Sequence, residues 1–387
     1  MATSLQSVLE ELTTYPSTEF PLLSIYLDWT TDGNGQRPSL RTLEQELAAI
    51  GGSLADSPAA RASFEADQQR IMDFLSREAP TDARGLAIFA CDAEGIWQAL
   101  PLQAPIGTQV SAGRYPRVFE LARAIDDYET CAVVLAEGQQ ATIFVIALDQ
   151  LERVGETEAA EKIKRFDQGG QAQMLFQRRT ENIVRAHTKD IAAELDRIVR
   201  RYDAQHIVLA GNDSIKGHLL GSLPEQLKAK LIDYVHLDIN SNAQAIREVV
   251  EPMLREVERK QETDALAELE LQLTAKGGLA VAGAADVAMA LAKGQVATLL
   301  MLPSFGGAGG ECPNCGTLRA GQRQKCPYDG AELQPVELRE AFTARAIQQG
   351  SAVEIVEQSD DLAGHGGVAA LLRYRDDLAQ TVGDGHA

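Results

Sequence analysis

Two groups of residues in this chain have the types and spacing to do chemistry. One is the tripeptide Gly169-Gly170-Gln171, and the other is Cys312-Pro313-Asn314-Cys315 followed after ten residues by Cys326-Pro327-Tyr328-Asp329. Adjacent glycines let a backbone take conformations with positive φ and pass through a space too tight for side chains. The glutamine then presents a backbone N–H and a short amide at the loop tip. Such a tip suits entry into a narrow, RNA-walled site. In the cysteine-rich segment, two turns each direct two donors at one tetrahedral ion, which is the spacing of a zinc ribbon. Asp329 stands where a fourth cysteine would be. A carboxylate can ligate zinc, so a Cys312, Cys315, Cys326, Asp329 set is chemically sound, with weaker selectivity for zinc than four thiolates. A closed set of four ligands leaves no position for substrate, so its role would be structural; the alternative is a degenerate, metal-free loop.

Both groups need a scaffold, and the hydrophobic pattern supplies one. Apolar residues at helical spacing predict a helix from about Gln173 to Tyr202, carrying Ile183, Ile191, Leu195 and Ile198 with no internal Gly or Pro. Before the loop, Ala132 to Ala136 and Ala141 to Leu148 read as a hairpin turned at Glu137-Gly138. After the helix, strands are expected at His206 to Ala210 and Tyr234 to Ile239. A second long helix, about Asn242 to Ala275, contains Pro252 and stops at Gly277-Gly278.

Upstream, a helix at Leu5 to Leu12, a strand at Leu22 to Leu27, two helical segments and a strand pair turned at Glu94-Gly95 predict a first α/β unit. Downstream, strands at Leu279 to Ala282, Val296 to Leu302 and Ala352 to Val356 alternate with helices at Ala285 to Ala292 and Leu338 to Gln349. The expected organisation is three α/β domains, 1–127, 128–275 and 276–387, the last interrupted by the cysteine-bearing insertion at 305–336.

The 387 residues carry a formal charge of -20, which argues against a generally basic, DNA-coating surface. Locally the balance reverses. Residues 161–201 hold ten Lys or Arg against six Asp or Glu, with Lys162, Lys164, Arg165, Arg178, Arg179 and Arg185 flanking the Gly-Gly-Gln loop. An exposed helix face with alternating charges is the ordinary alternative. No run approaches a membrane span and the N-terminus lacks a basic-then-apolar leader, so a cytoplasmic location and no membrane partner are expected. Cys91 and Cys131 sit in apolar runs and read as buried thiols. His187 and His206 have no partner at ligand spacing and read as ordinary helix or strand residues, and His365 reads as part of a turn.

The order of parts, with Phe166-Asp167-Gln168-Gly169-Gly170-Gln171-Ala172-Gln173-Met174-Leu175-Phe176-Gln177-Arg178-Arg179, resembles the class-I release factor and Pelota superfamily, and within it the bacterial archaeo-eukaryotic release-factor-like proteins. Phe176 and Arg178 match that family's Gly-Gly-Gln-Ser-x-x-Arg-Phe-x-Arg run, whereas Ala172 and Leu175 replace its Ser and first Arg. Val208-Leu209-Ala210-Gly211, the 279–302 segment and the closing Gly366 to Tyr374 run extend the resemblance over roughly 128–375.

The resemblance implies an RNase H-like middle domain and a ribosome-bound factor that hydrolyses peptidyl-tRNA. Gln171 would stabilise the developing charge through its backbone N–H, its side chain positioning or excluding water, while Gly169 and Gly170 permit the loop shape. It implies contact of the basic residues with ribosomal RNA at the A site, and leaves open delivery by a translational GTPase. The strings Asn-Ile-Lys-Ser and Tyr-x-Cys-x-x-x-Phe, associated with stop-codon reading, are absent. Rescue of stalled ribosomes is therefore favoured over codon-specific release. Two further readings are a hibernation factor that occupies the A site without catalysis, and a tRNA nuclease, for which no acidic cluster is evident.

Overall fold

The computed structural model describes residues 5–15, 18–54, 56–102, 104–147, 150–160, 171–321 and 325–375, and of residues 150 and 171–177 the backbone alone. Contacts divide the chain into two compact units: residues 1–127 together with 261–387, and residues 128–260.

The first unit begins with α1 (Leu5–Thr14), β1 (Leu22–Asp28), α2 (Pro38–Ser53), α3 (Pro58–Arg77), β2 (Gly85–Cys91), β3 (Ile96–Leu102), β4 (Gln109–Gly113) and α4 (Phe119–Asp127). Proline opens both α2 and α3, where its fixed φ suits a first turn and its missing N–H costs nothing. The four strands form an antiparallel sheet in the order β3-β2-β1-β4. Leu23, Ile25 and Leu27 of β1 alternate toward one face, where Leu43, Leu47, Phe64 and Ile71 of α2 and α3 close the core.

The second unit holds β5 (Cys131–Glu137), β6 (Gln140–Ala147), β7 (Gln150–Glu158), α5 (Gln171–Tyr202), β8 (His206–Gly211), α6 (Asp213–Ser222), α7 (Glu225–Lys228), β9 (Leu231–Val235) and the first part of α8 (Ala243–Thr274). Its sheet runs β7-β6-β5-β8-β9, with β5, β6 and β7 an antiparallel meander and β8 and β9 parallel to β5. Alternation sorts the two faces: Ala132, Val134 and Ala136 pack with Ile191, Leu195 and Ile198 of α5, while Cys131, Val133 and Leu135 pack with Ile246 and Val250 of α8. Gly211 pairs with Ala136, and a Cβ there would stand 2.1 Å from the Ala136 carbonyl oxygen, so glycine is required.

The chain then completes the first unit with β10 (Ala280–Ala282), α9 (Ala284–Ala292), β11 (Val296–Met301), β12 (Ala308–Glu311), β13 (Leu318–Ala320), β14 (Gln334–Glu337), α10 (Leu338–Gln348), β15 (Ala352–Ile355), α11 (Asp360–Gly364) and β16 (Val368–Leu372). The sheet order is β10-β16-β11-β15, in which β11 and β15 are parallel, and β13-β12-β14 form a separate three-stranded antiparallel sheet. Helix α4 is part of this region. Phe119 is fully buried in its core, the Phe119 N–H donates to Glu340 at 3.0 Å, and the Arg339 guanidinium lies 4.5 Å from the Phe119 ring centre. Midway along α4, Arg123 pairs with Glu357 at 2.6 Å.

The structure shifts one strand expected from sequence. Tyr234 to Ile239 reads as a strand, but pairing with β8 occupies Leu231–Val235, beginning where the Lys230 carbonyl accepts the Ile207 N–H. Leu237 and Ile239 are apolar because they pack against the α8-side core. Strands β4 and β7 and helix α4 escaped the sequence reading. In β7, Gln-Leu-Glu-Arg-Val-Gly-Glu-Thr-Glu, charged residues of a sheet-edge strand interrupt the apolar alternation. Among the described residues no helix is long and apolar enough to cross a membrane.

Candidate functional site

Gly169 and Gly170, with Lys162, Lys164 and Arg165, lie outside the described residues; Gln171 is the first residue of α5. Among the described side chains, those that pack α5 on its sheet lie mostly in its C-terminal half. Val184 is the first described residue of α5 packed on the core, His187 the first that is buried, and Ile191, Leu195, Ile198 and Val199 continue the stripe. Thirteen residues separate Gln171 from Val184, about 20 Å at a helical rise of 1.5 Å per residue. Arg178 and Arg179 on this stretch, and Arg185 just after it, are exposed. Arg178 and Arg185 are seven positions apart and so share one face. Further along, Arg197 and Arg200 are engaged by Glu194 and Asp196 of the same helix.

Two histidines behave differently from one another. His187 is buried with neither ring nitrogen in hydrogen-bond geometry among the described residues, and burial, opposed by the nearby Gln140 backbone and Asp190, pushes its pKa down and favours the neutral imidazole. The ring nitrogen Nε2 of His206 meets the carboxylate of Glu129 across 77 positions of sequence, a partner that local spacing could not reveal.

The sequence-expected metal ligands do come together. The Sγ atoms of Cys312, Cys315 and Cys326 and a carboxylate oxygen of Asp329 all lie within 4.8 Å of one another, a set that could hold a metal ion. Two matching turns produce this convergence. Gly316 N–H bonds back to Cys312 O at 2.9 Å and Cys312 N–H to Thr317 O at 3.0 Å; Gly330 N–H bonds to Cys326 O at 3.0 Å and Cys326 N–H to Ala331 O at 2.8 Å. The first turn links β12 to β13, and the second lies between β13 and β14. Gly316, at φ 68°, closes its turn in a left-handed conformation with the Arg345 guanidinium packed close above it.

The local electrostatics favour anionic ligands. Asp329 accepts the Ala331 N–H at 2.9 Å and an Asn314 amide N–H at 3.0 Å; with the Cys326 and Cys312 thiols these bonds hold its carboxyl at about 2. A hydrogen bond with the Thr317 hydroxyl at 3.1 Å lowers the exposed Cys315 thiol to about 7, whereas burial raises Cys326 to about 11. The Asp329 carboxylate is thus ionised at neutral pH, and Cys315 is the thiol of the set most easily deprotonated.

A family model described as bacterial archaeo-eukaryotic release factor family 10 matches residues 116–263, which include the Gly-Gly-Gln tripeptide and the whole of the second unit. An uncharacterised protein of Mycobacterium tuberculosis is 27% identical over 210 residues, spanning 51% of this chain and 53% of that protein. The chain therefore spans about half the length of that relative. Peptide chain release factor subunit 1 of Aeropyrum pernix is 24% identical over 318 residues, 77% of this chain and 82% of the factor. Among solved structures, the translation termination-like factor Dom34 of S. cerevisiae covers 76% of this chain and 80% of its own length, with 14% identity and a TM-score of 0.43.

Proposed function

We propose that this chain, a member of the release-factor-like superfamily, binds the ribosome and hydrolyses peptidyl-tRNA through Gln171, rescuing stalled ribosomes. The observation that carries the reading is the join between motif and scaffold. Gly169-Gly170-Gln171 falls inside the matched family region, and its glutamine opens a 32-residue helix in which the first described side chain packed on the core, Val184, stands thirteen positions further on. Ester hydrolysis needs a water placed for attack and a donor aimed at the oxygen that gains charge. The backbone N–H of Gln171 would be that donor. The strand order of the second unit, a meander followed by two parallel strands, is in keeping with an RNase H-like domain.

Domain limits at 1–127, 128–275 and 276–387 remain part of this reading, as do a cytoplasmic setting and A-site RNA as partner. Contacts from Lys162, Lys164, Arg165, Arg178, Arg179 and Arg185 to RNA would supply the affinity. Delivery by a translational GTPase belongs to the same proposal. In the first unit, zinc fits the Cys312, Cys315, Cys326, Asp329 set: a Zn–S distance of about 2.3 Å implies ligand-to-ligand edges of about 3.8 Å. The Cys315 and Cys326 sulfurs stand 3.5 Å apart, near that edge. Zinc would fix the two turns and take no part in hydrolysis.

The test is a purified ribosome complex stalled with labelled peptidyl-tRNA. Release of free peptide and intact tRNA by the protein, lost in Gln171→Ala, supports hydrolysis. Occupancy of the A site with peptidyl-tRNA left intact would replace the reading with a hibernation role, and shortened tRNA would replace it with nuclease action.

A further inference from the structure

Within the first unit a cavity of about 490 Å³ opens between α1, the turn at 113–117, β14 and α10. That volume is in the range that accepts a small organic ligand. Its lining includes the apolar residues Leu12, Pro116, Val336 and Ala344, and its charged residues are unequally paired. Arg345 and Glu311 face the same space but neutralise each other at 2.8 Å. Glu337 is engaged as the cap of α10, accepting N–H groups of Arg339 and Glu340. Arg114 and Arg117 remain, with no carboxylate within ion-pair distance among the described residues.

The backbone of both arginines is fixed. The Thr18 N–H donates to Arg114 O at 3.0 Å, the Arg117 N–H donates to Ser24 Oγ at 3.0 Å, and the Tyr26 hydroxyl donates to Arg117 O at 2.6 Å. We propose that this cavity binds a small organic anion, a phosphate or carboxylate carried on a flat apolar body of about one ring, with Arg114 and Arg117 holding the anionic group. A guanidinium on an anchored backbone loses less freedom on binding than one on a mobile loop. The proposal is independent of the reading for Gln171, which lies in the other unit.

Glu340 adds a proton linkage. Its carboxyl accepts the Phe119 N–H at 3.0 Å and is pushed up to about 7, chiefly by burial, with Glu337 acting in the same direction and the Phe119 bond, Arg117 and Arg339 opposing. Tyr26 of β1 is the other titratable group facing it, and burial keeps that phenol protonated. Below neutrality Glu340 is uncharged and can donate a hydrogen bond. Above neutrality its negative charge repels an anion, so affinity falls as pH rises.

Isothermal titration of the full chain with benzoate, phenyl phosphate and the neutral benzyl alcohol tests this. At least one anion should bind one per chain while benzyl alcohol does not, and the anion preferred identifies carboxylate or phosphate as the natural head group. Substituting Arg117→Gln, and separately Arg114→Gln, should weaken that anion by about tenfold or more, as expected for loss of a charge-assisted hydrogen bond. Circular dichroism would show that each variant is folded, and glutamine keeps much of the arginine stem. Benzoate, whose own charge is constant over this range, should bind less tightly at about pH 8 than at about pH 6, and Glu340→Gln should remove that difference. Absence of heat with both anions, binding unaffected by both arginine substitutions, or equal binding of benzyl alcohol each overturns the proposal.

Discussion

The side chain of Asp126 accepts the backbone N–H of Ile355 at 2.7 Å, joining residues 229 positions apart. Helix α4, which precedes the second unit in the chain, is thereby hydrogen-bonded to the edge strand β15 of the sheet that follows it. With Phe119 buried among Val287, Leu299 and Phe342, the two ends of the sequence share one core.

Phe119→Ala should be costly for that reason. Removing a fully buried aromatic ring costs about 3–5 kcal/mol, and here the vacated space lies at the seam between the terminal segments. Urea unfolding should report that loss, with unfolding of the first unit preceding that of the second. An unchanged midpoint would refute burial of α4 against α10.

Gly211→Ala tests the second unit. The added methyl would meet the Ala136 carbonyl oxygen at 2.1 Å and the Tyr234 hydroxyl at 2.8 Å, so the β5–β8 pairing must shift. A destabilisation of about 2–4 kcal/mol is expected from overpacking against backbone. Thermal melts of the isolated substitution measure it directly.

Much of this arrangement was legible in the sequence where local periodicity and local packing coincide. The hairpin at 131–147, α5 and α8 have apolar stripes facing a core, and their patterns carry that signal. The two cysteine turns could be read because their ligands are adjacent in sequence and the turn alone aims them. Long-range features were not legible. No local signal pairs His206 with Glu129, assigns Phe119 to a core built from residues beyond 287, or makes Glu340 the acceptor of the Phe119 N–H. Strand β7 was hidden because an edge strand can carry charge without burying it.

Stability should respond to pH in opposite directions in the two units. Glu340 and Asp127 are raised to about 7 and about 6, each mainly by burial, so the folded first unit holds protons that the unfolded chain releases. Their contribution is complete below the ordinary carboxylate range and is lost as pH rises through about 6 to 7. His187 is lowered by burial, so the second unit is disfavoured as pH falls below the ordinary histidine range. Thermal unfolding across a pH series should show Glu340→Gln flattening the alkaline-side decline and His187→Leu flattening the acid-side one. His187→Leu should also be neutral or stabilising by about 1 kcal/mol, since two unsatisfied buried nitrogens disappear.

Metal analysis of the purified chain should find one zinc per molecule under the proposed assignment. Cys312→Ser or Cys326→Ser should abolish retention, Asp329→Ala should weaken it, and Asp329→Cys should tighten it by completing a four-thiolate set. Zinc content unaffected by the two cysteine substitutions would remove the site from the proposal.

For the proposed hydrolysis, Gln171→Ala should lower peptide release on stalled ribosomes by about a hundredfold or more if the glutamine is needed to place the transition-state donor. Ribosome binding should change little. Arg178→Ala with Arg185→Ala should instead reduce ribosome affinity and its salt dependence while leaving the rate at saturation nearly intact.

Among the described side chains, packing of α5 on its core begins at Val184, about 20 Å along the helix from Gln171. Over a helix length of about 20 Å, a tilt of five degrees or so displaces the far end by about 2 Å. Small changes of volume at Ile191, Leu195 or Ile198, deep in the core, are therefore magnified into errors of aim at Gln171. Under the proposed hydrolysis, the tolerance of that core for conservative substitution would be set by the pointing accuracy demanded at Gln171, and would be narrower than its own stability requires.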